Sequence, residues 1–387
     1  MNPNFDDVIE TVSPMTSTKT ILGRPRYVGR DKIVVLKEEK SLILVGTNPA
    51  RRDFLTDYLN QICRRRESAA VICVQPPHPE TIQEFEAAGY IVRTINFDDP
   101  SRSASWNFTN EISDTSAPEF EKKVKTIINT ILFNTGDSGN LPYLETEKSI
   151  LSSLLTNGKR VSFPSICREL AQQEHHIQDD DSIKEAVRRM LDMFRDVLTP
   201  EMDQILSGDD IRLSDALVNP CLYTVQVSPQ RPTSNAIAML LATMLREEVE
   251  KNRNVHMNFV FEDYPSCGRL LDPAWFFEQK NANSFIAADS IVDVLYQFGK
   301  SGNSKKILES FDCLISVGVP GVDSMRRPEY ARDRSVMQFL ESVFGKGIMA
   351  YRTFFFFGSD AVLLWYKNRG QVVLSPYQTK QKSAESM

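Results

Sequence analysis

Apolar and polar positions settle into a regular pattern at residue 41. Ser41–Val45 (SLILV) is a short apolar run that ends at Gly46, as a buried strand does. Phe54, Leu55, Tyr58, Leu59 and Ile62 then recur at helical spacing within Phe54–Arg66. Ala69–Val74 (AAVICV) predicts a second apolar strand. Thr81–Gly89 predicts a helix that stops where a C-cap glycine belongs, and Tyr90–Phe97 a third strand. Strands alternating with helices over short connections predict a parallel sheet covered on both faces. Residues 1–35 are polar, with short β-like pieces such as Lys32–Leu36, and read as a flexible lead-in.

The middle of the chain changes period. From Glu119 to about Leu213 the pattern is helical, over Glu121–Phe133, Glu145–Leu155, Ser165–Gln173 and Ser182–Val197. The acidic run Asp179–Asp181 just before Ser182 reads as a solvated helix start. An all-helical insertion is expected over residues 141–215, about 70–80 residues and so within the size of a small domain. Sheet character returns with strands at Leu222–Val227, His256–Phe261, Ser284–Ala288 and Cys313–Val319. Helices accompany them at Asn235–Arg253 and around Asp289–Phe298 and Val336–Phe344. Residues 36–140 and 216–376 are thus expected to form one discontinuous α/β domain around the insertion. The Lys-, Gln- and Ser-rich residues 377–387 read as a disordered tail. No internal repeat is visible.

Composition adds limits. The 387 residues are 41% hydrophobic and 25% charged, ordinary for a soluble globular protein with a sizeable core. A net charge of −6 and a pI near 5.5 do not mark the whole molecule as a nucleic-acid binder, although a local basic groove stays open. Six scattered cysteines without a C-x-x-C pair read as reduced structural thiols of a cytoplasmic protein. MNPNFDDVIETVSP has no basic start followed by an apolar stretch, so no signal peptide is visible. The apolar runs Ser41–Gly46 and Thr353–Tyr366, the latter broken at Gly358, Ser359 and Asp360, fall short of the roughly 18–20 residues of a membrane-spanning helix.

A strand that ends in glycine and leads into a helix is where α/β folds cradle phosphate, on backbone N–H groups of the loop and the helix N-terminus. The working pattern is G-x-x-x-x-G-K-[ST], with the lysine on phosphate and the hydroxyl on Mg²⁺. Here the slot reads Gly46-Thr47-Asn48-Pro49-Ala50-Arg51-Arg52-Asp53. Only the first glycine is present. Arg51 stands at the second, Arg52 keeps a positive charge with a geometry unlike lysine's, and Asp53 puts a negative charge where the metal-binding hydroxyl belongs. Two readings stay open: a solvated strand-to-helix turn, or a non-catalytic anion site held by Arg51 and Arg52. Such folds also place an acid at the end of a second buried strand, to hold the metal and orient water. His256–Phe261 runs directly into Glu262 and Asp263, which fits that role and equally fits a strand ended for solubility.

Several segments together resemble one family, the TraG-like type IV coupling proteins of bacterial conjugation and type IV secretion. Gly89–Arg93 with Asn96–Pro100, Ser105, Trp106 and Asn107 is similar to that family's strand and S-x-W-N-type turn. Phe259–Gly268 (FVFEDYPSCG), with Arg269 and Leu270, is similar to its acidic-strand motif. Ser284–Val294 and Ile307–Gly318 (ILESFDCLISVG) resemble its later strands. The likeness spreads over residues 20–375, in the family's order. It implies a RecA-like P-loop NTPase core, with a mainly parallel central sheet and an inserted all-α domain.

The departures fall at the nucleotide. The loop lacks Lys and Ser/Thr. The family's Asp-Pro-Lys-Gly-Glu-like turn is replaced by Gln75-Pro76-Pro77-His78-Pro79, and its Asp-Glu pair is inverted as Glu262-Asp263. Asp289 stands where a polar Gln would face the γ-phosphate. The family's transmembrane segments have no counterpart, which implies a cytoplasmic chain brought to the inner membrane by partners. The resemblance therefore implies a pseudo-ATPase, a scaffold or interaction subunit without cofactor or metal. Its partners would be other conjugation or secretion proteins and further copies of itself. The rival reading is an active DNA-translocating motor that binds ATP and Mg²⁺ through Arg52, Glu262 and Asp263. A third is a nucleotide or single-stranded-DNA binder without turnover.

Other features have plainer readings. Adjacent His175 and His176 on a helix point apart and have no obvious fourth ligand, so a solvated helix end accounts for them better than zinc. No G-x-S-x-G elbow supports nucleophilic catalysis. Arg64–Arg66 sit where cations favour a helix C-terminus. Phe354–Phe357 read as a buried strand. Arg326, Arg327, Arg332 and Arg334 form a basic cluster that reads as a subunit contact or as solvated surface.

Overall fold

The computed structural model describes residues 9–11, 20–25, 32–35, 41–112, 116–135, 141–157, 161–174, 181–252, 254–278, 281–299, 304–317, 362–366 and 370–375. His175, His176, the arginine cluster at 326–334, the expected helix Val336–Phe344, Phe354–Phe357 and the tail 377–387 lie outside these residues.

In chain order the elements are strands β1 (Ile9–Thr11), β2 (Ile21–Pro25), β3 (Lys32–Val35) and β4 (Ser41–Gly46), helix α1 (Asn48–Arg65), β5 (Ser68–Cys73), α2 (Pro79–Ala87) and β6 (Ile91–Asn96). A helical stretch follows, α3 (Ala117–Thr135), α4 (Leu141–Asn157), α5 (Phe163–Glu174), α6 (Asp181–Met193) and α7 (Pro200–Ser207). Then come β7 (Cys221–Gln226), α8 (Pro232–Lys251), β8 (Met257–Glu262), α9 (Tyr264–Cys267), α10 (Pro273–Phe276) and β9 (Ala282–Ala288). The last are α11 (Ile291–Gly299), α12 (Ser304–Glu309), β10 (Phe311–Val317), β11 (Val362–Tyr366) and β12 (Gly370–Ser375).

Among the described residues the strands form one sheet in the order β1-β3-β2-β12-β11-β10-β4-β9-β8-β5-β7-β6. From β10 to β6 every neighbouring pair is parallel. From β10 outward through β11, β12, β2, β3 and β1 every pair is antiparallel. The expected lead-in through residue 35 therefore contributes three strands to the sheet rather than a free segment. Leu22 and Val34 are wholly buried there, but each apolar run is too short to show a period in sequence.

Both faces of the parallel part are covered, because alternate strand residues point to opposite sides. In β4, Leu42 and Leu44 join Leu55, Tyr58, Leu59 and Ile62 of α1 and Phe85 of α2 in one apolar cluster. Ile43 and Val45 join the cluster on the other face, which contains α8 and runs without a break into the helical stretch. Helix α8 is apolar nearly all round and buried from Ala236 to Leu245, as a helix held between two layers must be. Asp196 caps it from the helical stretch, accepting hydrogen bonds from the Thr233 N–H at 3.1 Å and from its hydroxyl.

The Ser105-Trp106-Asn107 turn joins sheet to helices. Trp106 and Asn107 donate backbone hydrogen bonds to Ile205 and Gly208, and Ile211 donates one to Ser105. Trp106 is wholly buried and starts a chain of aromatic contacts through Phe108 and Phe163 to Phe194. Among the described residues no helix is long and apolar enough to cross a membrane.

Candidate functional site

Strand register decides which residues meet at the carboxyl edge of the sheet. Gly46 ends β4 opposite Val317 of β10, and Val45 lies opposite Ala288, so Asp289 leaves β9 beside Gly46. Glu262 ends β8 opposite Cys73 of β5, which turns into Val74 and Gln75. The chain leaves β4 toward β5 on one side, whereas β9 connects through α11 and α12 to β10 on the other. Connections that part in this way open a crevice at the strand ends, where open α/β sheets bind ligands.

The strand-to-helix segment at this crevice is short. Gly46 takes φ +146, and a Cβ there would lie 1.8 Å from the Val317 carbonyl oxygen. The glycine is thus required by the close approach of β10. Only Thr47 separates it from α1, whose first residue is Asn48. The Phe54–Arg66 helix expected from periodicity in fact begins six residues earlier. Pro49 in the first turn is preorganised for helix, and no glycine after Gly46 interrupts it. The Arg51 N–H already bonds the Thr47 carbonyl at 3.0 Å, as a helical turn requires. Residues 48–53 are therefore helix rather than loop.

Arg51 points into the structure. Its side chain is 3% exposed, and Nη2 lies 2.9 Å from Oδ1 of Asp289, whose own side chain is 74% exposed. Nε and Nη1 are buried without a hydrogen-bond partner among the described residues. Arg52 donates to the Gln75 side-chain oxygen at 2.5 Å and to the Pro76 carbonyl at 3.2 Å, which ties it to the turn after β5. Asp53 is exposed on α1.

Glu262 is buried, and its carboxylate accepts the Gln75 backbone N–H at 3.3 Å. Burial pushes its carboxyl above the ordinary range; the Gln75 and Val74 N–H groups and the Arg51 charge act against this, and Asp263 adds to the rise. Asp263 adopts the left-handed conformation, φ 60 and ψ 55, and turns the chain into α9. The structure thus brings Gly46, Thr47, Asn48, Pro49, Ala50, Arg51, Glu262 and Asp289 to one crevice, with Arg52 at its rim.

Sequence reasoning did not pair Arg51 with Asp289. The signal was available: a cation at one nucleotide-facing position and an anion at another are charge-complementary departures. The Arg52 contact with Gln75 and Pro76 left no such signal. Arg65 and Arg66 have local roles. Arg65 grips Glu67 through two hydrogen bonds, at 2.7 and 3.0 Å, and Arg66 ends α1 in a left-handed cap while donating to the Ala88 carbonyl. All six cysteines are free and buried. Burial raises the thiols of Cys63, Cys73, Cys167, Cys221 and Cys267, which disfavours thiolate chemistry.

No family model matches the chain, and no curated protein matches it in sequence. Solved structures match it in fold. VirB4 of Thermoanaerobacter pseudethanolicus superposes with a TM-score of 0.65 at 8% identity, over 94% of this chain and 97% of that one. The unbound bacterial conjugative coupling protein TrwBdeltaN70 gives 0.61 at 9% identity, over 90% and 88%. TrwB in complex with the non-hydrolysable GTP analogue GDPNP gives 0.60 at 10%, over 89% and 86%. The chain therefore shares its RecA-like α/β fold with the conjugative coupling protein TrwB and with VirB4.

Proposed function

We propose that this chain is a coupling-protein-like component of a bacterial conjugative transfer or type IV secretion system, and that it works as an interaction or scaffold subunit without hydrolysing nucleotide. The observation that carries the second half is the Arg51–Asp289 pair at the α1 N-terminus. A magnesium nucleotide does not fit these residues. The backbone that would cradle its phosphates is helical from Asn48, and a fixed guanidinium lies where a glycine would leave room. The position of the metal-binding hydroxyl is an exposed carboxylate, Asp53. Support for the first half is the fold shared with TrwB over 90% of the chain and with VirB4 over 94%.

Partners on this reading are other proteins of the same system or further copies of the chain, reached from the cytoplasmic side of the inner membrane. The rival, an active motor that uses Arg52, Glu262 and Asp263, draws support from Glu262 at the end of β8. Arg52, however, is committed to the Gln75–Pro76 turn. A phosphate-release assay with ATP and Mg²⁺ separates the two. The expected result is no turnover above a buffer control in wild type. Mg²⁺-dependent turnover that disappears in Glu262→Gln would overturn the proposal in favour of the motor.

A further inference from the structure

The turn after β5 departs from the expected pattern toward proline, and reads Gln75-Pro76-Pro77-His78-Pro79. A proline ring holds its own φ at about −65° and confines the residue before it to extended backbone. Gln75, Pro76 and His78 each precede a proline, and His78 is observed at φ −59 and ψ 137, the polyproline II region. That conformation repeats at about three residues per turn, which sets Pro76 and Pro79 on one ridge. Gln75, Pro76, His78 and Pro79 are exposed and Pro77 is half-buried. Pro79 has a reason in the helix it starts; Pro76 and Pro77 start no element, and neither is buried. Both ends of the turn are held. The Gln75 N–H donates to Glu262 at 3.3 Å, and Arg52 donates to the Gln75 side-chain oxygen at 2.5 Å and to the Pro76 carbonyl at 3.2 Å. At the far end the His78 ring accepts the Glu80 N–H at 3.4 Å, and its carbonyl accepts the Thr81 N–H at 2.9 Å. Between them, the Pro77 carbonyl accepts no backbone hydrogen bond among the described residues.

We propose that Pro76–Pro79 is a docking ridge for a protein partner whose groove is lined by aromatic side chains, with a Trp N–H or Tyr O–H directed at the Pro77 carbonyl. The proposal rests on the scaffold reading above and names the surface through which the scaffold works. The chemistry of the turn selects this partner. A polyproline II segment makes no internal hydrogen bonds, so what it offers is ring faces and open carbonyls, and aromatic-lined grooves take both. A partner that adds a strand would need N–H groups, which Pro76, Pro77 and Pro79 lack. A nucleic acid would need free cations, whereas Arg52 is committed to the turn and the exposed Glu80 follows it. Arg52 is here a positioning residue: its two bonds order the turn before docking, so that cost does not fall on the complex.

The test titrates the whole chain into a panel of isotope-labelled WW and SH3 domains, whose grooves are aromatic, and follows their NMR shifts. Wild type is expected to give saturable shifts at the groove Trp and Tyr residues of at least one domain. Pro76→Ala/Pro77→Ala is expected to abolish them. Arg52→Ala, which keeps every proline, is expected to bind roughly fivefold more weakly. No shifts with wild type, or the same shifts with the proline variant, overturn the proposal. Equal affinity of wild type and Arg52→Ala overturns it too, and this comparison stands even if the proline variant does not fold. Sedimentation velocity on wild type and the proline variant alone covers the other occupant: self-association that the two alanines abolish would assign the ridge to a second copy of the chain and overturn the aromatic-groove partner. Failure of these arms leaves the scaffold reading standing. Mg²⁺-dependent ATP turnover by wild type would instead overturn that reading, whatever the WW and SH3 domains do.

Discussion

Replacing Gly46 by alanine puts a methyl group where there is no space. The new Cβ would lie 1.8 Å from the Val317 carbonyl oxygen and 2.8 Å from its carbon, both backbone atoms of a neighbouring parallel strand. No side-chain rotation relieves this clash; β4 and β10 must separate at their carboxyl ends. The residue would also have to hold φ +146, a region that L side chains rarely adopt. Backbone strain of that kind costs about 1–3 kcal/mol. Overfilling a packed interior costs about 1–3 kcal/mol more, so a total of about 2–6 kcal/mol is expected. Urea unfolding followed by circular dichroism reads it directly. With a slope of about 3 kcal/mol per molar, the midpoint should fall by roughly 0.7–2 M. A fall below about 0.2 M would refute the argument that β10 is what requires glycine here, and would return Gly46 to the role of a phosphate-contacting residue.

Two further outcomes follow from the same geometry. Trp106→Ala removes a wholly buried ring that links the turn after β6 to the aromatic chain of the helical stretch, and should cost about 3–5 kcal/mol in urea unfolding, without changing the slope. Because burial raises the folded-state value of Glu262 above the ordinary 4.5, the native state there binds more protons than the unfolded one. Its contribution is therefore most favourable below pH 4.5 and is lost as the pH rises through the raised value. Glu262→Gln should accordingly gain stability relative to wild type as the pH rises above 4.5, and a difference that is flat with pH would contradict the assignment.

Much of the sheet was legible because parallel strands buried on both faces read as continuous apolar runs. Ser41–Val45, Ala69–Val74 and His256–Phe261 each lie within a residue of the strand observed. The position of Glu262 followed, since an acid after such a run must sit at the sheet edge. The outer strands β1 to β3 were not legible as sheet. They are short, and their partners β12 and β3 lie far away in sequence or across polar segments. The true start of α1 was hidden by Arg51, Arg52 and Asp53, polar residues in a slot defined by a loop motif, although Pro49 marked it. The Arg51–Asp289 pair needed the register of β4 against β9, which no local pattern contains.

On the proposed function, the crevice has exchanged magnesium nucleotide for the Arg51–Asp289 ion pair. Titration calorimetry of ATP and ADP into the wild-type chain, with and without Mg²⁺, tests it most directly, with Arg52→Ala in parallel. No Mg²⁺-dependent heat is expected for either nucleotide. Tight Mg²⁺-dependent binding that is lost in Arg52→Ala would contradict it, and would mean that the helix beginning at Asn48 and the Arg52 bond to the Gln75 turn both give way to a nucleotide.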